Sequence, residues 1–112
     1  MCGIFTILSN TKITPDERSK YSIEGMKSQH RGPDHTSVNI IQEDIYMIFH
    51  RLKINDISDL GNQPLYHPLD DMLVLICNGE IYNWKELACE YSLKTKSTSD
   101  CEIILHLSLI HI

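Results

Sequence analysis

A cysteine stands second in the chain, in Met1-Cys2-Gly3, and leads without a polar interval into Ile4-Phe5-Thr6-Ile7-Leu8. A thiol placed there has a chemistry open to it that an internal cysteine lacks. With Met1 removed, Cys2 would carry a free α-amine beside its thiol, which puts a nucleophile and a base on one residue. The apolar, β-branched run behind it predicts a strand, so this terminus is expected to be ordered and not frayed. A lone cysteine at the head of a strand is more often a small buried hydrophobe than a nucleophile. Partners elsewhere in the chain must decide between the two readings.

Three polar clusters are candidates for such partners: Arg31-Gly32-Pro33-Asp34, Asn78-Gly79 and Asp100. Each has a purely structural explanation. The Gly-Pro pair can simply stop a helix. Asn-Gly is a common signal for a tight hairpin turn. Asp100 can be no more than a first-turn acid at a helix start.

Six blocks taken together say more than any one of them. Met1-Cys2-Gly3-Ile4-Phe5, Arg31-Gly32-Pro33-Asp34, Phe49-His50-Arg51-Leu52, Gly61-Asn62-Gln63-Pro64, Asn78-Gly79-Glu80-Ile81-Tyr82-Asn83 and Ser99-Asp100-Cys101-Glu102 follow one another across nearly the whole chain. In order and spacing they resemble the glutaminase domain of the class II glutamine amidotransferases, which are N-terminal nucleophile hydrolases. Within that class the chain looks like the glutamine-hydrolysing asparagine synthetase B branch. Amidotransferases that make glucosamine phosphate or phosphoribosylamine usually carry other residues after Arg31-Gly32 and in place of Glu80-Ile81-Tyr82.

The resemblance implies an α+β fold, an αββα sandwich of two antiparallel sheets between helical layers. It also implies roles. Cys2 would attack the side-chain amide of L-glutamine, with its own α-amine as base, while the Asn78 side chain and Gly79 N–H would meet the developing oxyanion. Arg51 would hold the substrate carboxylate with a two-pronged hydrogen bond that lysine does not reproduce. Asp100, assisted by Glu80, would take the ammonium. The backbone of Leu52, Lys53, Ile54 and Asn55 would line the same pocket, and Arg31 and Asp34 would shape the loop near Cys2. Ammonia would pass to ATP-activated aspartate in a covalently linked synthetase domain, which brings ATP and magnesium and leaves room for a homodimer of the whole protein. The alternatives are a non-catalytic glutamine-binding remnant, or a related amidotransferase with another acceptor.

Composition narrows the field further. Apolar residues make up 42% and charged residues 22% of the 112, as in ordinary globular proteins. The net charge of −5, with Lys and Arg scattered, excludes a nucleic-acid footprint. Cys2, Cys77, Cys89 and Cys101 lack C-x-x-C spacing, so neither a metal site nor a disulfide framework is expected. The histidines show no ligand spacing either. No signal peptide or membrane-length run is visible, and a reducing, cytoplasmic setting fits.

The elements that must position these residues follow from pattern. Residues 4–8 predict a strand. Thr14-Pro15-Asp16-Glu17 predicts a capped helix start, with Tyr21, Ile23 and Met26 on its apolar face and a stop before His30. Residues 36–41 and 45–49 predict a hairpin turning at Glu43-Asp44. Residues 55–68 read as a long loop, and 72–77 as a strand buried on both faces. Asn83 is expected to cap a short helix over 84–91 with Glu86 in the capping-box position, and residues 94–98 hold a brief strand or loop. Ser99 is expected to cap a last helix over 100–109, with Ile103, Ile104 and Leu107 on one face. Cys77, Cys89, Cys101 and Trp84 read as packing residues, and His50 as structural.

The chain departs from the family at Thr6, where a smaller residue is usual, and in length. As a partial glutaminase domain over 1–112 it is expected to continue into more strands and then a synthetase domain with a Ser-Gly-Gly loop. Residues 107–112 look foreign to the helix they end. Made alone, the chain is expected to be unstable and poorly active.

Overall fold

In a computed structural model, which describes residues 1–111, the apolar run behind Cys2 is strand β1, Gly3–Leu8. The chain divides into two compact units, Met1–Leu52 and Lys53–Ile112.

In the first unit, helix α1 (Pro15–Met26) opens as the sequence predicts. The Glu17 amide donates to the Thr14 hydroxyl, and the Glu17 carboxylate accepts from the Thr14 amide at 2.8 Å. These bonds from Thr14 hold the Glu17 carboxyl below its ordinary range. The apolar face differs from expectation. Ile23 and Met26 are exposed, and the helix instead turns Gly25 inward. A Cβ at Gly25 would run into the Ile48 side chain and stand 3.1 Å from the Phe5 ring, so the bare backbone is what lets the helix lie this close to the sheet. A single tight helical turn, Gln29–Arg31, follows α1.

Strands β2 (His35–Gln42) and β3 (Ile45–Arg51) form the expected hairpin. β3 is central in the antiparallel order β1-β3-β2, with Gly3 opposite His50 and Leu8 opposite Ile45. Burial follows that topology. Tyr46, Ile48, Phe49, His50 and Arg51 of β3 are buried, and Ile13, Tyr46 and Ile48 form a core against Phe5, Ile7 and Tyr21. His50 is structural, as expected. Its ring bonds the Thr36 hydroxyl at 2.8 Å and the Gly25 carbonyl at 2.9 Å, which joins sheet and helix.

The second unit holds a two-stranded antiparallel sheet, β4 (Leu65–His67) with β5 (Asp70–Leu75), and helices α2 (Trp84–Glu90) and α3 (Glu102–His111). β4 lies inside the segment read as loop, a three-residue strand too short for its alternation to register. β5 corrects a second expectation. It starts two residues earlier than 72 and ends at Leu75, and it is not buried on both faces, since Met72 is 63% exposed and Leu73, Val74 and Leu75 are half-buried. Among the described residues it pairs with β4 alone.

Both later helix caps also differ from expectation. Asn83 occupies the cap of α2 but makes no side-chain bond there. α3 begins at Glu102, because the Ser99, Asp100 and Cys101 carbonyls close tight turns before the helix starts. Its buried residues are Glu102, Ile103, Leu105 and His106, while Ile104 and Leu107 are half-buried. Residues 94–98 are irregular. α3 continues through His111, and Ile112 of the terminal segment read as foreign lies outside the described residues. Two antiparallel sheets and three helices make the fold α+β.

Candidate active site

In the first unit the Cys2 thiol is held at the point where β3 ends. The Leu52 amide donates to Sγ at 3.3 Å, and the thiol lies 3.8 Å from the Leu52 carbonyl, which it can reach as a weak donor. Strand pairing accounts for this. Gly3 sits opposite His50, so the next residue outward on β1 meets the residues that leave β3. The Arg31 guanidinium donates through Nε to the Cys2 carbonyl at 3.3 Å, and the Asp34 amide donates to the Arg51 carbonyl at 3.0 Å. Gly32 between them is buried flat on β3. A Cβ there would fall on the His50 carbonyl and within 2.7 Å of the Arg51 nitrogen. Arg51 itself is buried at 5% exposure. Met1 is 74% exposed, so no packing opposes its removal.

In the second unit the Asn78-Gly79 pair forms no hairpin turn. β5 has already ended, no strand follows among the described residues, and neither Gly79 nor any other glycine has positive φ. The tight-turn reading requires positive φ at both central residues, so it fails here. The strip from Cys77 to Ile81 is instead pinned at alternate residues by side chains. The Gln63 amide group accepts from the Cys77 N–H at 2.6 Å and donates to the Cys77 carbonyl at 3.1 Å. The Cys101 thiol donates to the Gly79 carbonyl at 3.6 Å. The Ile81 amide donates to Asp100 Oδ2 at 2.5 Å. An extended strip held this way leaves Asn78, Gly79 and Glu80 exposed.

A cavity of about 380 Å³ opens beside that strip, lined by Asn55, Glu80, Asp100, Thr98, Ile81, Tyr82, Trp84 and Lys85. Three of the residues named from sequence, Asn55, Glu80 and Asp100, therefore meet around one space. Lys53 and Ile54 are not among its lining; Lys53 pairs with Asp59 at 3.4 Å, and Ile54 is exposed. The Tyr82 hydroxyl donates to the Glu80 carboxylate, and that bond together with the carboxylate's charge raises the phenol above its ordinary value.

Two buried carboxylates that sequence reasoning missed hold the walls. Asp56 accepts from the Ser58 amide at 2.7 Å, the Ser58 hydroxyl at 2.5 Å and, through its other oxygen, the Thr98 amide at 2.8 Å. Burial opposes its ionisation, but the bonds from Ser58 and Thr98 outweigh it and hold the carboxyl at about 2. Glu102 accepts from the Lys96 and Ser97 amides and the Ser97 hydroxyl, with the His106 ring 3.4 Å away. Burial again opposes ionisation, and the Ser97 hydroxyl, the two amides and His106 together leave Glu102 below the usual carboxylate range. Glu102 stands in one of the six blocks, but the sequence does not show which backbone it bonds, and Asp56 looks like one polar loop residue among many. Of the cysteines expected as core or helix fillers, Cys101 is buried, Cys77 is half-buried and Cys89 is an exposed residue of α2. Among the described residues no three His, Cys, Asp or Glu side chains gather to hold a metal, and no helix is long and apolar enough to cross a membrane.

The chain belongs to the glutamine amidotransferase domain family, whose model matches residues 1–110. Among curated relatives it is 40% identical over 108 residues to rice (Oryza sativa subsp. japonica) asparagine synthetase [glutamine-hydrolyzing] 2. It is 40% identical over 110 residues to the Zea mays asparagine synthetase [glutamine-hydrolyzing], and 37% over 110 to asparagine synthetase [glutamine-hydrolyzing] 2 of Bacillus subtilis (strain 168). Each alignment covers 96% of this chain but only 18%, 18% and 14% of the respective relative.

Proposed function

We propose that this chain is the glutamine-hydrolysing part of an asparagine synthetase, and that Cys2, freed of Met1, is its nucleophile. The observation that carries the reading is the ordered thiol, fixed against Leu52 one residue beyond a buried arginine. In the reaction, Sγ attacks the side-chain carbonyl carbon of L-glutamine. The thiol proton passes to the α-amine of Cys2 and from there to the departing nitrogen, which leaves as ammonia. The α-amine suits the task because its unperturbed pKa is about 7.7 to 8.0. Water then opens the thioester, giving glutamate and restoring the thiol.

Asn78 and the Gly79 amide serve the oxyanion in this reading, and losing one such donor typically costs about 2.7 to 4 kcal/mol of transition-state stabilisation. Their support here is that the strip carrying them is pinned on both sides, which is the preorganisation such donors need. Arg51 is assigned the α-carboxylate; Asp100 and Glu80 are assigned the α-ammonium, in the cavity that Asn55 also lines, while Arg31 and Asp34 brace the turn beside Cys2. The names of the relatives point to aspartate as the ammonia acceptor, in a synthetase portion that would use ATP and magnesium. No step proposed for this chain passes through either. Four free cysteines suit a reducing cytoplasm, where the nucleophile stays a thiol.

The test uses the protein at its natural length. Intact mass should show Met1 absent from active enzyme, and Cys2→Ala should abolish glutamate release from glutamine while synthesis from added ammonia survives. Retention of Met1 in active protein would remove the base from the mechanism. Loss of both activities would make Cys2 a structural residue.

A further inference from the structure

Asp56 has no role in the proposed reaction, yet it is bonded to both sides of the cavity. Its chain neighbour Asn55 lines the space, and its Oδ2 accepts from the amide of Thr98, which also lines it. Two residues beyond Thr98 stands Asp100. The Asp56 Oδ1 is held by the amide and hydroxyl of Ser58, so the Asp56 carboxylate has both oxygens committed and little freedom to turn. The segment it grips is held at its other end as well, by Glu102 on the Lys96 and Ser97 amides. Residues 96–100 therefore run as a loop with two buried carboxylate anchors, and the wall bearing Asn55 is tied to one of them.

We infer that Asp56 is a positioning residue, setting the separation between Asn55 and the Thr98–Asp100 wall at which the ammonium group of an α-amino acid is recognised. The inference rests on the reading of this cavity as the ammonium end of the glutamine site, and adds a residue that contacts no part of the substrate. Its held charge supports the same view, since a carboxyl at about 2 keeps both oxygens accepting at every pH the protein meets. Asparagine in its place can keep an oxygen toward Ser58 only by turning its amide hydrogens toward the Thr98 N–H, donor against donor. That substitution breaks one link, the one between the walls.

The experiment compares two ligands that differ by the ammonium alone, L-glutamine and its des-amino analogue 4-carbamoylbutanoate. Binding is measured by calorimetry on the natural-length protein carrying Cys2→Ala, so that nothing turns over. The parent should prefer glutamine by 30-fold or more. Asp56→Asn should cut that preference at least tenfold with the analogue's Kd within twofold of the parent, which also shows that the pocket is folded. Ser58→Ala, which leaves the Ser58 amide in place, should hold the preference within twofold. Should Asp56→Asn fail to fold, Asp56→Glu supplies the measurement, because it keeps both acceptors but displaces the wall, and at least threefold of the preference should go. An unchanged preference in the informative variant, or equal weakening of both ligands, overturns the positioning role and leaves Asp56 as scaffold. A parent that binds both ligands alike overturns the reading of the cavity itself, and the role of Asp56 with it.

Discussion

Residues 1–52 are held by strand pairing around apolar side chains, whereas residues 53–111 are held by polar side chains that bond the backbone. The buried residues of the first unit include Ile13, Tyr46, Ile48 and Phe49, with His50 and Arg51 where β3 approaches the thiol. Those of the second include Asp56, Gln63, His67, Ser97, Ser99, Asp100, Glu102 and His106 beside only Leu65, Cys101, Ile103 and Leu105. The difference matches what each must do. A nucleophile needs one fixed point, which a three-stranded sheet provides. A pocket wall must present irregular backbone at set positions, and irregular backbone has no ladder to satisfy its N–H groups. Carboxylates and a glutamine amide supply that satisfaction one group at a time.

The sharpest way to break this contrast is Ile48→Ala. Ile48 is fully buried between β3 and α1, and truncation should lower stability by about 2 to 5 kcal/mol in denaturant unfolding, through lost transfer energy and the cavity left behind. A cost below 1 kcal/mol would show that the sheet does not depend on its apolar core. Glu102→Gln should cost about 1 to 3 kcal/mol, because an amide nitrogen then faces a backbone donor at Lys96 or Ser97. Hydrogen exchange should quicken at those two amides and not in β1, β2 or β3; equal quickening in the sheet would erase the distinction.

Acid should sharpen it. Glu102 and Asp56 have folded values below their ordinary ones, so their contributions are complete above about 4.5 and 3.8 respectively and fade as pH falls through the lowered values, about 2 for Asp56. After allowance for solvent screening, Asp56 contributes roughly 1 to 2 kcal/mol. Protection of the Thr98 amide should therefore fade as pH falls from about 3.8 towards about 2, and that of the Ser97 amide as pH falls below about 4.5, both before protection in the β1-β3-β2 sheet. The reverse order of loss would mean that these carboxylates do not carry the second unit.

The same contrast explains what could be read beforehand. β1, the cap of α1 and the β2–β3 hairpin are legible because period-two alternation and capping chemistry act over a few residues. Leu65–His67 and the early end of β5 are not, because pairing partners far along the chain decide them. Within the site, Cys2, Asn55, Glu80 and Asp100 were legible through residue type, position and resemblance. Gln63 and Glu102 stand in the blocks that carry the resemblance, but their role, like that of Asp56, is not legible, since a carboxylate or amide that bonds main chain looks like any polar residue until the backbone it reaches is known.

Trp84, the sole tryptophan of the chain, lines the cavity at the start of α2, with the Lys85 ammonium 5.6 Å from the centre of its ring. The molecule thus has a tryptophan in one unit and none in the other. Tryptophan emission follows solvation of the pocket wall on which that ring stands. A ligand that enters beside Asp100 should change the colour and yield of that emission.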